Sequence, residues 1–235
     1  MLEKYKKDIL ADSFSCQRIG ADRNNKTLFN GFSNERNSSL KWYLQREAWG
    51  DDKHNRRAIY IVKEKTKIVM YFSLQCGVLV QCHKKQIGGI VNKGTEETPE
   101  YHIDTENIEV TKSIPALEMA HFCINDSFKR QKKSWKIMHG GKMYPVGAYC
   151  FYRFVAPKVI ELAQIAGVKY LYIFCADDGT GKLKDYYINQ LHFEEMDDKA
   201  CIRSRYDKDL PCMTMKIEDL VKHTNAFNEE GRKKV

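Results

Sequence analysis

The stretch from Ile114 to Ala176 constrains the chain more than any other. Ile114–Asn125 (IPALEMAHFCIN) reads as a buried central strand. Val146–Ala166 follows with apolar residues at 151, 154, 155, 159, 162, 163 and 166, the spacing of one helical face. Pro157 must kink that helix or open its second half, and Gly167 ends it. Val168–Ala176 (VKYLYIFCA) then reads as a second buried strand. A strand, a helix and a strand joined this way lie parallel, so the unit excludes an all-helical or purely antiparallel fold.

Antiparallel elements flank it. Ala58–Val62 and Ile68–Leu74, joined by the turn EKTK, have the composition of a β-hairpin, and Val78–Cys82 extends the sheet beyond Gly77. Lys182–Leu191 reads as a helix, with strands near Phe193–Met196 and Cys212–Ile217. Near the start, a strand is expected at Phe14–Ile19 and a helix at Glu35–Glu47, capped by Ser33 or Asn34. Asp51–Arg57 (DDKHNRR) reads as a polar turn. Residues 83–113 read as an acidic surface insertion, and the tail from 222 to 235 as polar and frayed. The whole, residues 1–235, is a single domain of α/β class built on a mixed sheet.

Charge and cysteines narrow the function class. The 235 residues carry a net charge of +8, which favours anionic partners. Residues 127–142 hold six basic residues and no acid, whereas residues 94–109 hold six acids and no Lys or Arg. The eight cysteines are scattered with no C-x-x-C, so no metal site is expected and the thiols read as reduced. No apolar run approaches the roughly 18–20 residues of a membrane span, and Met1–Leu10 is charged throughout, unlike a signal peptide. A cytoplasmic protein with no membrane partner is expected.

With these residues in hand, the chain resembles the GNAT superfamily of acetyl-coenzyme A-dependent N-acetyltransferases over residues 28–217. Met70–Leu74 (MYFSL) resembles the end of that family's hairpin strand. Ile114–Asn125 resembles its central strand, and Tyr186–Phe193 (YYINQLHF) its helix after the second core strand. The resemblance implies a mostly antiparallel sheet with a splayed central strand. It also implies acetyl-CoA as cosubstrate, held by the backbone of Phe122, Cys123 and Ile124, and an amine acceptor. A homodimer is compatible with such a fold.

The family's diphosphate loop, Q/R-x-x-G-x-G/A, is degenerate here. One register starts at Lys129 and lacks glycine. The preferred one runs Lys142 to Ala148, with Pro145 at the first glycine position and residues 127–142 as an insertion. In that register Val146, Gly147 and Ala148 open the helix toward the phosphates, and Lys129, Arg130 and Lys142 add charge.

For catalysis the resemblance implies two groups. Glu118, on the central strand, matches the base of the family's histone-acetylating branch, where an apolar setting raises a carboxyl pKa. Strand alternation puts it on one face with Ala120, Phe122 and Ile124, leaving His121 on the other as a core residue. The exact register puts Ile188 at the family's tyrosine position, so the acid for the departing thiolate is Tyr187 one residue earlier, Tyr186 beside it, or water, with aromatic core packing as the alternative role of both tyrosines. The implied function is acetyl transfer to a primary amine of a small molecule or protein. Asn30–Gln45 and the long helix also resemble the toxin-like branch that acetylates aminoacyl-tRNA, though Glu118 departs from it. The competing reading is a non-catalytic GNAT-fold binding protein using its basic loop on nucleic acid or an acidic partner.

Overall fold

A computed structural model of the chain describes residues 13–84, 90–92, 101–103, 108–128, 136–196 and 210–232. The strands are β1 (Phe14–Arg18), β2 (Ala58–Glu64), β3 (Lys67–Lys84), β4 (Ile90–Asn92), β5 (Tyr101–Ile103) and β6 (Ile108–Ile124). They continue with β7 (Lys136–His139), β8 (Lys142–Pro145), β9 (Tyr170–Phe174), β10 (Glu194–Glu195) and β11 (Cys212–Lys216). Seven form one sheet in the order β1-β2-β3-β6-β9-β11-β10. Among the described strands of that sheet, β6 and β9 are the parallel pair and the other neighbours run antiparallel. The crossover unit and the mixed, mostly antiparallel sheet are therefore as the sequence led us to expect.

Helices cover both faces. On one lie α1 (Asn25–Leu28), α2 (Ser38–Arg46) and α3 (Ala48–Lys53), whose region buries Phe29, Phe32, Tyr43, Leu44 and Ala48 against Ile59, Ile61, Tyr71 and Cys123. On the other lie α4 (Val146–Cys150), α5 (Ala156–Ala166), α6 (Lys182–Leu191) and α7 (Ile217–Arg232). Their core includes Val146, Phe151, Val155, Tyr187, Leu191, Leu220 and Phe227 against Phe72, Leu74, Met119 and Leu171. Removing this much apolar surface from water is the dominant favourable term in holding the two layers together.

Several boundaries differ from expectation for identifiable reasons. Asn37, not Ser33 or Asn34, caps α2 by accepting from Ser39 N at 3.2 Å. Ser33 and Asn34 instead tie their loop to the end of β6, at Asn125 and Cys123. Asp51–Lys53, expected in a turn, ends α3, with Asp51 accepting from Tyr43 and Arg56. Pro157 falls at the start of α5, directly after a π-helical turn at Phe151–Val155. That turn absorbs the hydrogen bond proline cannot make. The acidic insertion is partly strand, because β3 and β6 stay paired out to Lys84 and Ile108. The expected frayed tail is largely α7, whose Leu220, Thr224 and Phe227 repeat at helical spacing and are buried.

Residues 136–145, from within the expected basic insertion to just past its end, form the hairpin β7–β8. Its turn needs positive φ at two successive residues, supplied by Gly140 (57°) and Gly141 (82°). The hairpin packs on α7, with the His139 and Phe227 rings stacked at 4.0 Å.

Candidate active site

The sheet opens between its two parallel strands. β6 and β9 pair only at Ala116–Glu118 with Tyr170–Tyr172, yet β6 continues to Ile124 and β9 to Phe174. Beyond Glu118 the strands diverge into a cleft of about 460 Å³. Its walls include Phe122, Cys123 and Ile124 from β6, and Ile173 and Phe174 from β9. The loop before α2 contributes Asn34 and Arg36, and α6 contributes Leu183, Tyr186 and Tyr187. Along this length no described strand pairs with the β9-facing edge of β6, which gives an extended ligand room to lie there as an added strand.

A β-bulge decides which side chains reach the cleft. Ser73 of β3 pairs with His121, but the next residue, Leu74, pairs with Met119, so Ala120 is an extra residue on β6. Alternation is reset there. Leu117, Met119, Phe122 and Ile124 pack with the α4–α7 core, whereas Cys123 packs with the α1–α3 core. The expectation that Glu118 shares a face with Phe122 and Ile124, opposite His121, is therefore corrected. Glu118 lies on the face of His121 and Cys123.

Glu118 is only 5% exposed and is not among the residues lining the cleft. Its Oε2 accepts from Gln75 Nε2 at 2.6 Å and from the Tyr172 hydroxyl at 3.2 Å. Arg57 Nε in turn donates to Gln75 Oε1 at 2.8 Å. Glu118 thus joins β3, β6 and β9 at the last point where all three are paired.

His121, expected in the core, lines the cleft. Its Nδ1 lies 2.7 Å from Ser73 Oγ, and its ring stacks on Tyr43 at 3.9 Å. Burial, reinforced by the positive charge of Arg57, pulls its pKa down to about 3. The imidazole is neutral at physiological pH.

Both tyrosines of α6 line the cleft. Tyr187 is buried, with its ring edge-on to Phe193 and Tyr186, and burial raises its pKa. The Tyr186 hydroxyl faces the start of α4, where a Cβ on Gly147 would lie 2.4 Å from it and 2.4 Å from Ile124 Cδ1. That hydroxyl is buried without a protein hydrogen-bond partner, and burial again raises its pKa. At the N-terminus of α6, Asp177 accepts from Gly181 N at 2.8 Å and Leu183 N at 2.7 Å. Arg36 pairs with Asp178 at 3.0 Å, linking that helix to the loop before α2.

The expected diphosphate residues are only partly assembled. Val146, Gly147 and Ala148 do open α4 and are buried there, with Gly147 against Ile124 and Tyr186. Pro145 stands at the N-cap and makes no side-chain cap bond. Lys142 lies apart from the cleft lining. It pairs with Glu230 at 3.5 Å in a separate groove with Tyr152, His192 and His223, because β8 carries it toward α7. Lys129 and Arg130 lie outside the described residues. The splay of β6 from β9, the cleft and the orphaned Tyr186 hydroxyl fit the thioester and pantetheine arm of acetyl-CoA. The residues in view at the diphosphate end contribute fewer donors. Among the described residues no cluster of His, Cys, Asp and Glu could hold a metal, and no helix is long and apolar enough to cross a membrane.

Sequence reasoning missed His121, Arg36 and the Asp177–Asp178 pair. The chain carries a readable cue for the last alone, in the DDGTG run before α6.

No protein-family model and no curated protein matches the chain. Solved structures do. A Tyr→Phe mutant of the AtaT toxin superposes with a TM-score of 0.57 at 12% identity, covering 90% of this chain and 94% of that one. AtaTR bound with acetyl-CoA gives 0.55 at 14% identity, covering 90% and 98%. AtaT complexed with acetyl-methionyl-tRNAfMet gives 0.53 at 10% identity, covering 89% and 98%. At these identities the likeness is one of fold, and the chain has the GNAT fold that its sequence resembles.

Proposed function

We propose that this chain is an N-acetyltransferase that uses acetyl-CoA and that its acceptor is the α-amine of an aminoacyl-tRNA. The observation carrying the first half is the cleft that opens where β6 and β9 part, with two tyrosines of α6 on its wall. Neighbours of the same fold include one bound with acetyl-CoA and one complexed with an acetylated aminoacyl-tRNA.

The titratable groups of the cleft favour the second half. A hydrogen bond from Thr180, together with Arg36, holds the Asp178 carboxyl at about 2. His121 sits at about 3. Asp126 Oδ2 is engaged by the Glu35 amide at 2.6 Å. Asp178 and His121, titrating that low, take a proton poorly at neutral pH, so the acceptor nitrogen must arrive with its lone pair free. An α-amine (pKa roughly 7.7–8) is about one-third unprotonated near pH 7.5, against about one in a thousand for a lysine (pKa roughly 10.4). The positive net charge suits a polyanionic acceptor.

In this reading the backbone of Phe122–Ile124 holds the pantetheine arm and orients the thioester. Tyr187, which burial keeps protonated, donates a hydrogen bond to the sulfur as negative charge builds there. The proton lost by the acceptor nitrogen ends on the departing thiolate. Glu118 anchors the strands at the mouth of the splay.

The test is calorimetric titration with acetyl-CoA at low and moderate salt, followed by transfer assays. Micromolar binding, and acetylation of methionyl-tRNA over a lysine peptide, are expected. Tyr187→Phe should lower kcat at least tenfold and leave coenzyme affinity unchanged. No binding at either salt would refute the enzyme reading and favour a GNAT-fold binding protein. Binding with preference for the lysine peptide would refute the acceptor assignment alone.

A further inference from the structure

We propose that His121 orients the acceptor amine, its neutral Nε2 accepting a hydrogen bond from the acceptor nitrogen inside the cleft. The inference rests on the acetyltransferase reading. It starts from the bulge at Ala120, which turns His121 onto the Glu118 and Cys123 face and into the cleft wall.

Three contacts fix the ring. Nδ1 lies 2.7 Å from Ser73 Oγ, Tyr43 covers one ring face at 3.9 Å, and Tyr71 approaches at 6.0 Å. The support extends a layer deeper. Tyr43 donates to Asp51 Oδ2 at 2.8 Å, and the Arg57 guanidinium lies over the Tyr43 ring at 5.5 Å. In the tautomer whose Nδ1–H donates to Ser73 Oγ, Nε2 carries the lone pair, and with one ring face covered it is the nitrogen left for the cleft that His121 lines.

Chemistry selects the role. The charged or titratable groups around His121 are Arg57, Asp51, Tyr43, Tyr71 and Cys123, and the nearest full charges, Arg57 and Asp51, oppose each other across Tyr43. Burial, with Arg57 adding to it, keeps the imidazole uncharged. It offers an acceptor lone pair and no repulsion to an incoming amine. One N–H of the amine bonds to Nε2, which leaves the nitrogen lone pair to face the thioester on β6. No proton is transferred to His121 in this step. It is a residue that contacts and positions the acceptor nitrogen, and among the described residues lining the cleft no other side chain offers an uncharged nitrogen acceptor.

The test separates the two ring nitrogens. His121→Asn keeps a donor where Nδ1 meets Ser73 and loses reach into the cleft. His121→Gln restores a polar group at the Nε2 position. With methionyl-tRNA and a lysine peptide as acceptors, His121→Asn should raise the acceptor KM about tenfold, the fold-change of one lost hydrogen bond. The acetyl-CoA Kd should stay within twofold of wild type, and His121→Gln should recover the acceptor KM to within about threefold. An unchanged acceptor KM in His121→Asn would overturn the assignment. So would a parallel loss of coenzyme and acceptor affinity in both variants, which marks a purely structural role. Wild-type protein that acetylates neither probe would overturn the inference together with the reading beneath it, and that outcome is visible before any variant is made.

Discussion

Replacing Glu118 by glutamine tells a catalytic base from a structural anchor, because the two roles fail in different assays. Glu118 Oε2 accepts from Gln75 at 2.6 Å and Tyr172 at 3.2 Å in a site only 5% exposed. Hydrogen bonds to a charged acceptor contribute about 1.5–3 kcal/mol and neutral ones about 0.5–1.5, so two such bonds lose roughly 2–3 kcal/mol when the charge is removed. Relief from burying a carboxylate offsets part of that, leaving a net cost of about 1–2 kcal/mol. The isosteric amide keeps its oxygen facing both donors, so the strand junction persists. Urea denaturation should therefore show a lower midpoint with unchanged slope. Initial rates of coenzyme A release at saturating acetyl-CoA should stay within about threefold of wild type. Removing a true general base costs about 10²–10⁴ in rate. A hundredfold fall in kcat with an unchanged urea midpoint would refute the anchoring role and restore Glu118 as the proton acceptor.

Two further perturbations probe the same cleft. Gly147→Ala places a Cβ 2.4 Å from Ile124 Cδ1 and the Tyr186 hydroxyl, so it should cost about 1–3 kcal/mol in urea melts and weaken acetyl-CoA binding in calorimetry. Asp177 is subject to burial that raises its pKa, but hydrogen bonds from the Leu183, Gly181 and Lys184 amides outweigh it and hold the carboxyl below its ordinary value. A depressed folded pKa contributes stability above the unfolded value of roughly 3.9, lost as pH falls through the folded value. Asp177→Asn should accordingly lower the melting temperature at pH 7, with the gap to wild type closing below about pH 4.

The fold was legible because its signals are local and strong. The apolar periodicity of Val146–Ala166 and the continuous run Val168–Ala176 allow little besides a crossover onto a parallel strand, and the structure has it. Helix α6 matches its expected bounds, Lys182–Leu191, since the DDGTG run supplies its start. Elements stabilised by partners distant in sequence were harder to see. Helix α7 looks polar in a window of its own. Its Phe227 is buried only because His139, Tyr144, Tyr149 and Tyr152 surround it, all at least 75 residues away in the chain.

The site was less legible, and one residue accounts for most of the difference. Strand alternation assigns a face to every side chain of β6 from any one of them, provided the pairing is regular. Ala120 breaks that proviso, and nothing in the composition of IPALEMAHFCIN marks it, because the bulge is a property of the pairing with β3. Counting through it from Phe122 and Ile124 places His121 correctly but puts Glu118 on their face instead of on that of His121. Counting from both sides of it puts Glu118 at the paired mouth of the splay and His121 inside. The bulge thus separates the roles of Glu118 and His121. The one retained among paired strands finds donors in Gln75 and Tyr172 and holds β3, β6 and β9 together. The one released into the cleft keeps a single nitrogen engaged by Ser73 and presents the other. A strand that must both hold the sheet and open it gains both properties from one inserted residue, and bulges are favoured next to active sites for this re-aiming of side chains.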